Sequence, residues 1–137
     1  DLAIGPDGRF GCGALPRYWT EPDRVPYLVR IDRELAGFVL VQQGSLVTGD
    51  PEVWDVAEFF VLKRHRQRGI GVRVAHEVWR RHCGAWEVRV MQRNTSALAF
   101  WRRAVEAFEG SPAESELVRA GEKVWHLFRV SSAQLPN

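Results

Sequence analysis

The chain has 137 residues, 45% of them hydrophobic and 26% charged, enough for one globular domain with its own core. A formal net charge of +2 is too small to imply nucleic acid, and no apolar run approaches the roughly 18 residues of a membrane span. Two cysteines, Cys12 and Cys83, give neither a disulfide framework nor a metal-ligand cluster, so no bound metal and a reducing cytoplasm are expected; no signal peptide is visible.

Residues 1–23 are rich in glycine and proline (Gly5, Pro6, Gly8, Gly11, Gly13, Pro16, Pro22) and predict loop, with at most a helical turn near Leu15–Trp19. Phe10, Leu15, Tyr18 and Trp19 are expected to pack over the core, with a lid over a binding cleft as the alternative. Alternation in Tyr27/Val29/Ile31 and Ala36/Phe38/Leu40 predicts a hairpin that turns at Asp32-Arg33-Glu34. A loop follows from Gln43 to Pro51. Trp54–Leu62 is β-branched and aromatic, the mark of a buried strand. Lys63–Gly71 is basic and ends in Gly-Ile-Gly, which predicts a tight turn. From Gly71 to His82 the period is helical: Val74, Ala75, Val78 and Trp79 fall on one face, and Arg73, His76, Glu77, Arg80 and Arg81 on the other. Gly84 is placed to close that helix. Trp86–Met91 predicts a strand. Asn94 or Thr95 can cap a second helix whose stripe is Ala97, Leu98, Trp101, Ala104, Val105 and Phe108, ended by Gly110–Pro112. Glu114–Val118 and Lys123–Val130 predict a closing hairpin. The order is β-β-β-α-β-α-β-β. It fits a single domain over residues 1–137 of α/β (α+β) class: one mixed, mostly antiparallel sheet with helices on both faces.

The chemistry concentrates at the central strand-to-helix junction. Residues 63–82 carry seven Lys or Arg against one acid, Glu77. Strand, glycine turn and helix present backbone N–H groups and a helix N-terminus to an anion, so a phosphorylated ligand suits the field. The turn is not a P-loop, for no Gly-Lys-Ser or Gly-Lys-Thr occurs. It is not a dinucleotide fingerprint either, because Val74 stands where the third glycine belongs.

Arg66-x-x-Gly69-x-Gly71 at this junction resembles the acyl-CoA pyrophosphate loop of the GNAT acyltransferase family. Asn94-x-x-Ala97-x-x-Phe100-Trp101, beginning 23 residues beyond Gly71, resembles that family's second cofactor motif. The coupled spacing and the strand order extend the likeness over roughly Tyr27 to Val130. The resemblance implies acetyl-CoA as co-substrate and acetyl transfer to an amine acceptor by direct attack in a ternary complex. It implies that backbone groups around Val61 and Leu62 pair with pantetheine, and that Arg66, Gln67, Arg68, Gly69, Ile70 and Gly71 cradle the pyrophosphate. It places Asn94 on the cofactor arm and opens a splay between the central strand and the Trp86 strand. The partner is then a small-molecule or peptide amine, with no nucleic acid and no membrane; a homodimer is compatible.

The amine must lose a proton. Glu58, three residues before Val61, is the first candidate base, since Val56, Ala57, Phe59 and Phe60 would desolvate it. An ion pair with Arg89 is the competing structural role. Asp55 is the second candidate; alternation puts it on the side of Val61 unless a bulge intervenes. The four histidines and Cys83 offer weaker candidates. Two departures from the family pattern stand out. Trp101 replaces the tyrosine that protonates the leaving thiolate in many members, and an indole N–H is not a practical acid. That substitution motivates an alternative, a non-catalytic acyl-CoA-binding module. The part before the first hairpin also looks shortened, since only a loop-like stretch precedes Val25. A nucleic-acid-binding domain built on residues 63–82 is a third reading, which leaves the Gly-x-Gly turn unexplained.

Overall fold

The computed structural model describes residues 2–5 and 24–133. Among these residues seven strands form one sheet: β1 (Leu2–Gly5), β2 (Arg24–Ile31), β3 (Glu34–Gln43), β4 (Trp54–Val61), β5 (Gly84–Met91), β6 (Glu116–Ala120) and β7 (Lys123–Ser132). Their order across the sheet is β1-β2-β3-β4-β5-β7-β6. Every neighbouring pair is antiparallel except β4 and β5. Among the described residues the α-helices are α1 (Ile70–Arg81) and α2 (Thr95–Glu109). A parallel pair needs a crossover, and α1 supplies it between β4 and β5.

The periodicities read from the sequence place the core. Val74, Ala75, Val78 and Trp79 of α1 are buried, as are Trp101, Ala104 and Val105 of α2. They close over Val56, Trp86, Val88, Val90, Phe128 and Val130 of the sheet. The two described helices also touch each other. Trp79 lies against Phe108 with ring centroids 5.1 Å apart, and the His76 Nε2–H donates to the Ala104 carbonyl at 2.8 Å. Both therefore cover the same face of the sheet.

Several boundaries differ from the sequence reading. Leu2–Gly5, read as loop, pairs with Leu28–Ile31 as an edge strand; four residues among glycines and prolines carry too little period to be seen. The rest of the expected N-terminal loop, with Phe10, Leu15, Tyr18 and Trp19, lies outside the described residues, as does Cys12. Lys63–Arg68 is a 3-10 helix rather than a bare turn. Gly84 does not cap α1: His82 already turns extended, and Gly84 begins β5 at φ 119°. The first hairpin turns through Asp32 and Arg33, both left-handed at φ 51° and 72°, the geometry whose twist suits a two-residue hairpin loop.

Among the described residues, no helix is long and apolar enough to cross a membrane, and no group of three His, Cys, Asp or Glu could hold a metal ion.

Candidate active site

β4 and β5 pair at two positions only, Trp54 with Trp86 and Asp55 with Glu87, and then part. The gap beyond is a cleft of about 260 Å³ walled by Val56–Phe59 on β4 and Val88–Met91 on β5, with Asn94, Ala97, Trp101 and Trp125 completing it. The splay expected from the resemblance is thus present. A bulge sits at its apex. Leu40 of β3 faces Glu58 while Val41 faces Val56, which leaves Ala57 as the extra residue. A bulge bends its strand and raises local twist. It also changes which side chains share a face. Val56 and Phe59 both join the helix-side core, while Asp55 and Glu58 come to lie together on the other face.

The two carboxylates have opposite surroundings. Asp55 is 0% exposed. It accepts from Arg89 Nε at 3.2 Å and Nη2 at 3.1 Å, and from Gln42 Nε2 at 3.0 Å. A buried charge needs such partners. Arg89, the partner expected for Glu58, is therefore committed to Asp55. Its guanidinium also lies 4.9 Å from the ring centroid of Trp125. Glu58 is exposed on the cleft wall, not enclosed by its apolar neighbours, and makes no ion pair among the described residues. Asp55 is positioned by its partners; Glu58 alone of the two can meet an incoming group. Glu87, the other buried acid here, accepts from Ser45 Oγ at 2.6 Å.

At the upper end of β4, the Leu62 N–H donates to the Ala36 carbonyl at 2.7 Å and so belongs to the β3 ladder. In antiparallel pairing the next residue points its backbone groups the other way. Val61 therefore turns its backbone groups to the β5 side, where β5 has moved off. Its carbonyl accepts from Arg66 Nε at 2.7 Å. Val61 and Leu62 thus differ: the first presents its backbone to the splay, the second does not.

Gly69 ends the 3-10 helix and caps α1 in the left-handed region at φ 71°, with nothing near the place a Cβ would occupy. Its requirement is conformational. Gly71 differs, for a Cβ there would stand 2.7 Å from Cε1 of Phe100. That glycine lets α1 approach α2. The N-terminus of α1 has no side-chain cap and no acid in its first turn, so no side chain among the described residues satisfies the first-turn amides of Ile70 and Gly71. The side chains of Gln67 and Arg68 lie outside the described residues.

Asn94 caps α2 as expected: its Oδ1 accepts from the Ala97 N–H at 3.1 Å and from Ser96 Oγ at 3.3 Å. The oxygen is taken up by the cap, which leaves the amide N–H groups as the part able to meet a ligand. Trp101 lines the inner cleft and packs edge-on to Phe59 and Phe100, each with centroids 4.9 Å away. It is a core residue. The sequence reading missed Arg89 as the anchor of Asp55, and missed Met91 and Trp125 at the cleft. Met91 is 50% exposed at the end of β5; a large apolar residue just before a polar helix start was the available signal.

Of the histidines, His65 lies in the 3-10 helix, and His126 meets Ser115 Oγ at 3.0 Å. Burial lowers the proton affinity of His76 and His82 and raises the pKa of Tyr27. The Tyr27 hydroxyl and His82 Nε2 meet at 2.5 Å, at the far end of the sheet from the cleft mouth.

Comparison with known proteins follows the same line. A model of the acetyltransferase (GNAT) family matches residues 6–105. No curated protein matches the chain. Among solved structures, an acetyltransferase from Thermus thermophilus superposes with TM-score 0.65 at 17% identity, over 85% of this chain and 70% of that one. A GNAT family acetyltransferase from Elizabethkingia anophelis, solved with acetyl-CoA bound, gives TM-score 0.64 at 12% identity over 95% and 97% of the two chains. Arabidopsis thaliana NAA60, in complex with a bisubstrate analogue, gives 0.63 at 15% identity over 98% and 100%.

Proposed function

The chain belongs to the acetyltransferase (GNAT) family, and from that premise we propose that it transfers an acetyl group from acetyl-CoA to the amine of a small molecule or peptide by direct attack. The observation that carries this reading is the cleft where β4 and β5 part, with Glu58 on its wall, on a chain whose α1 N-terminus has no side-chain cap.

The residues present suit an acyl-CoA. Its pantetheine arm carries two amides. Such groups can complete a strand edge that has lost its neighbour, here the β4 edge at Val61. Its diphosphate matches the amides of Gly69–Gly71 and the Arg66 charge. Asn94 would donate to the arm from the mouth of α2. Held this way, a thioester carbonyl lies in the splay, where amides can steady the charge that develops on its oxygen.

Attack needs a neutral amine. Glu58 takes the ammonium proton, directly or through one water. The nitrogen then bonds to the thioester carbon, gives up its second proton to solvent, and the carbon–sulfur bond breaks. The thiolate leaves with a proton from solvent, because Trp101 offers no acid. Removing Glu58 lowers turnover without removing acetyl-CoA binding.

Trp101 also favours a second reading, an acyl-CoA-binding module without turnover. One experiment separates them. Free thiol is followed after mixing the protein and acetyl-CoA with small amines, amino acids, polyamines and peptide N-termini. Acceptor-dependent thiol release that falls in Glu58→Gln supports the enzyme. Acetyl-CoA binding with no release across the panel supports the module.

A further inference from the structure

The structure gives Arg66 one use, and the acyl-CoA reading gives it a second. Its Nε–H donates to the Val61 carbonyl at 2.7 Å, and its guanidinium lies 5.6 Å from the ring centroid of Phe60. It therefore covers the β4 edge where β5 has diverged. An edge carbonyl facing no strand needs a donor, and Arg66 supplies one from five residues along the chain. Resting on the acyl-CoA reading above, that edge is also where a pantetheine amide would donate. An Nε–H held on Val61 is then not available to a diphosphate at the α1 N-terminus.

We propose that Arg66 is a specificity-determining residue that exchanges partners: it caps the Val61 carbonyl in the empty cleft and moves to the diphosphate when an acyl-CoA displaces it. The exchange sets selectivity. An acyl-CoA displaces the cap and offers two phosphates in return, and charge-assisted hydrogen bonds to phosphate are the stronger kind. A thioester on pantetheine alone must displace the same cap and offers the guanidinium nothing. The cleft thus rejects thioesters that lack the diphosphate, beyond the affinity that the phosphates add directly. Arg66 is exposed and touches no core side chain through this bond, so its replacement leaves the fold intact.

The test compares acetyl-CoA with S-acetylpantetheine, the same arm without phosphates, by equilibrium titration and by competition. Arg66→Ala is expected to weaken acetyl-CoA about tenfold or more, the scale of one charge-assisted hydrogen bond, and to tighten S-acetylpantetheine about two- to tenfold, the scale of one neutral bond no longer displaced. The shifts have opposite signs. Arg66→Gln keeps a neutral donor over the edge; it should weaken acetyl-CoA as alanine does and leave S-acetylpantetheine within about twofold of wild type. If Arg66→Ala weakens both ligands by the same factor, Arg66 is a static part of the arm site and the exchange is wrong. If it leaves acetyl-CoA unchanged, or if S-acetylpantetheine displaces nothing from either protein, the exchange is equally wrong. Each of these leaves the acyl-CoA reading standing, because wild type still binds acetyl-CoA. Failure of folded wild type to bind acetyl-CoA removes that reading and the exchange with it.

Discussion

Arg89 closes on Asp55 across the point where β4 and β5 part, its Nε and Nη2 reaching the two carboxylate oxygens at 3.2 and 3.1 Å. The pair holds the apex of the cleft. Asp55 is fully buried, and the Arg89 side chain is 14% exposed. Removing one partner of such a pair leaves an uncompensated charge.

Asp55 and Glu58, three residues apart on one strand, should therefore respond differently to substitution. Asp55→Ala is expected to lower unfolding free energy by about 3–5 kcal/mol. Glu58→Gln, on the exposed wall, should stay within about 0.5 kcal/mol of wild type. It should lower kcat/KM by about 100-fold or more, the usual share of a general base. Urea unfolding and steady-state kinetics on the two variants check this. Equal stability losses would show that the exposed carboxylate is structural too.

The glycines of the loop should separate as well. Gly71→Ala drives a methyl into the Phe100 ring and should cost about 1–3 kcal/mol, the range for overpacking. Adding Phe100→Leu, which makes room, should recover part of that loss. Gly69→Ala meets nothing, yet holds φ at 71°, so it should cost about 1 kcal/mol through backbone strain that no neighbouring substitution relieves. Thermal melts of the three variants and the double variant measure both effects.

The helices and their faces were legible in the sequence because Val74, Ala75, Val78 and Trp79 follow the helical period, as does the stripe from Ala97 to Phe108. Asn94 as the cap of α2 was legible from its place before an apolar run, and the glycine turn into α1 from Gly69 and Gly71. The bulge at Ala57 was not. Residues 56–60 read Val-Ala-Glu-Phe-Phe, and either register leaves an apolar set facing the helices. Without the bulge, Asp55 reads as a neighbour of Val61. Nor was the partner of Arg89 legible: it sits 34 residues from Asp55, and only the strand pairing decides between Asp55 and Glu58. The Gly84 misreading has the same origin. A glycine after a helix looks like its cap, whereas here the chain needs a positive φ to start β5.

Asn94→Ala removes the cap of α2 and should cost about 0.5–2 kcal/mol. If its amide also meets the cofactor arm, acetyl-CoA affinity should fall beyond what the lost stability explains. Asn94→Asp keeps a cap oxygen but loses the donor, so it should restore stability and not affinity. Melting and ligand titration on both variants check the division.

Acid should weaken the fold through His76 and His82. Burial lowers both folded-state pKa values below the ordinary 6.5. The unfolded chain then binds protons that the folded chain refuses, so stability is full above about 6.5 and falls as pH drops below it. Melting temperature should decline from pH 7 to 5.5, and His82→Gln should decline less steeply than wild type. An unchanged slope would mean that His82 takes up its proton without cost inside the fold.

The most direct test of the acyl-CoA cleft is calorimetric titration of acetyl-CoA into the folded protein, alongside Glu58→Gln. The cleft predicts one site per chain with micromolar affinity, kept in Glu58→Gln because the role proposed for that carboxylate is toward the amine and not the cofactor. A folded protein that takes up no acetyl-CoA would contradict the account at its centre.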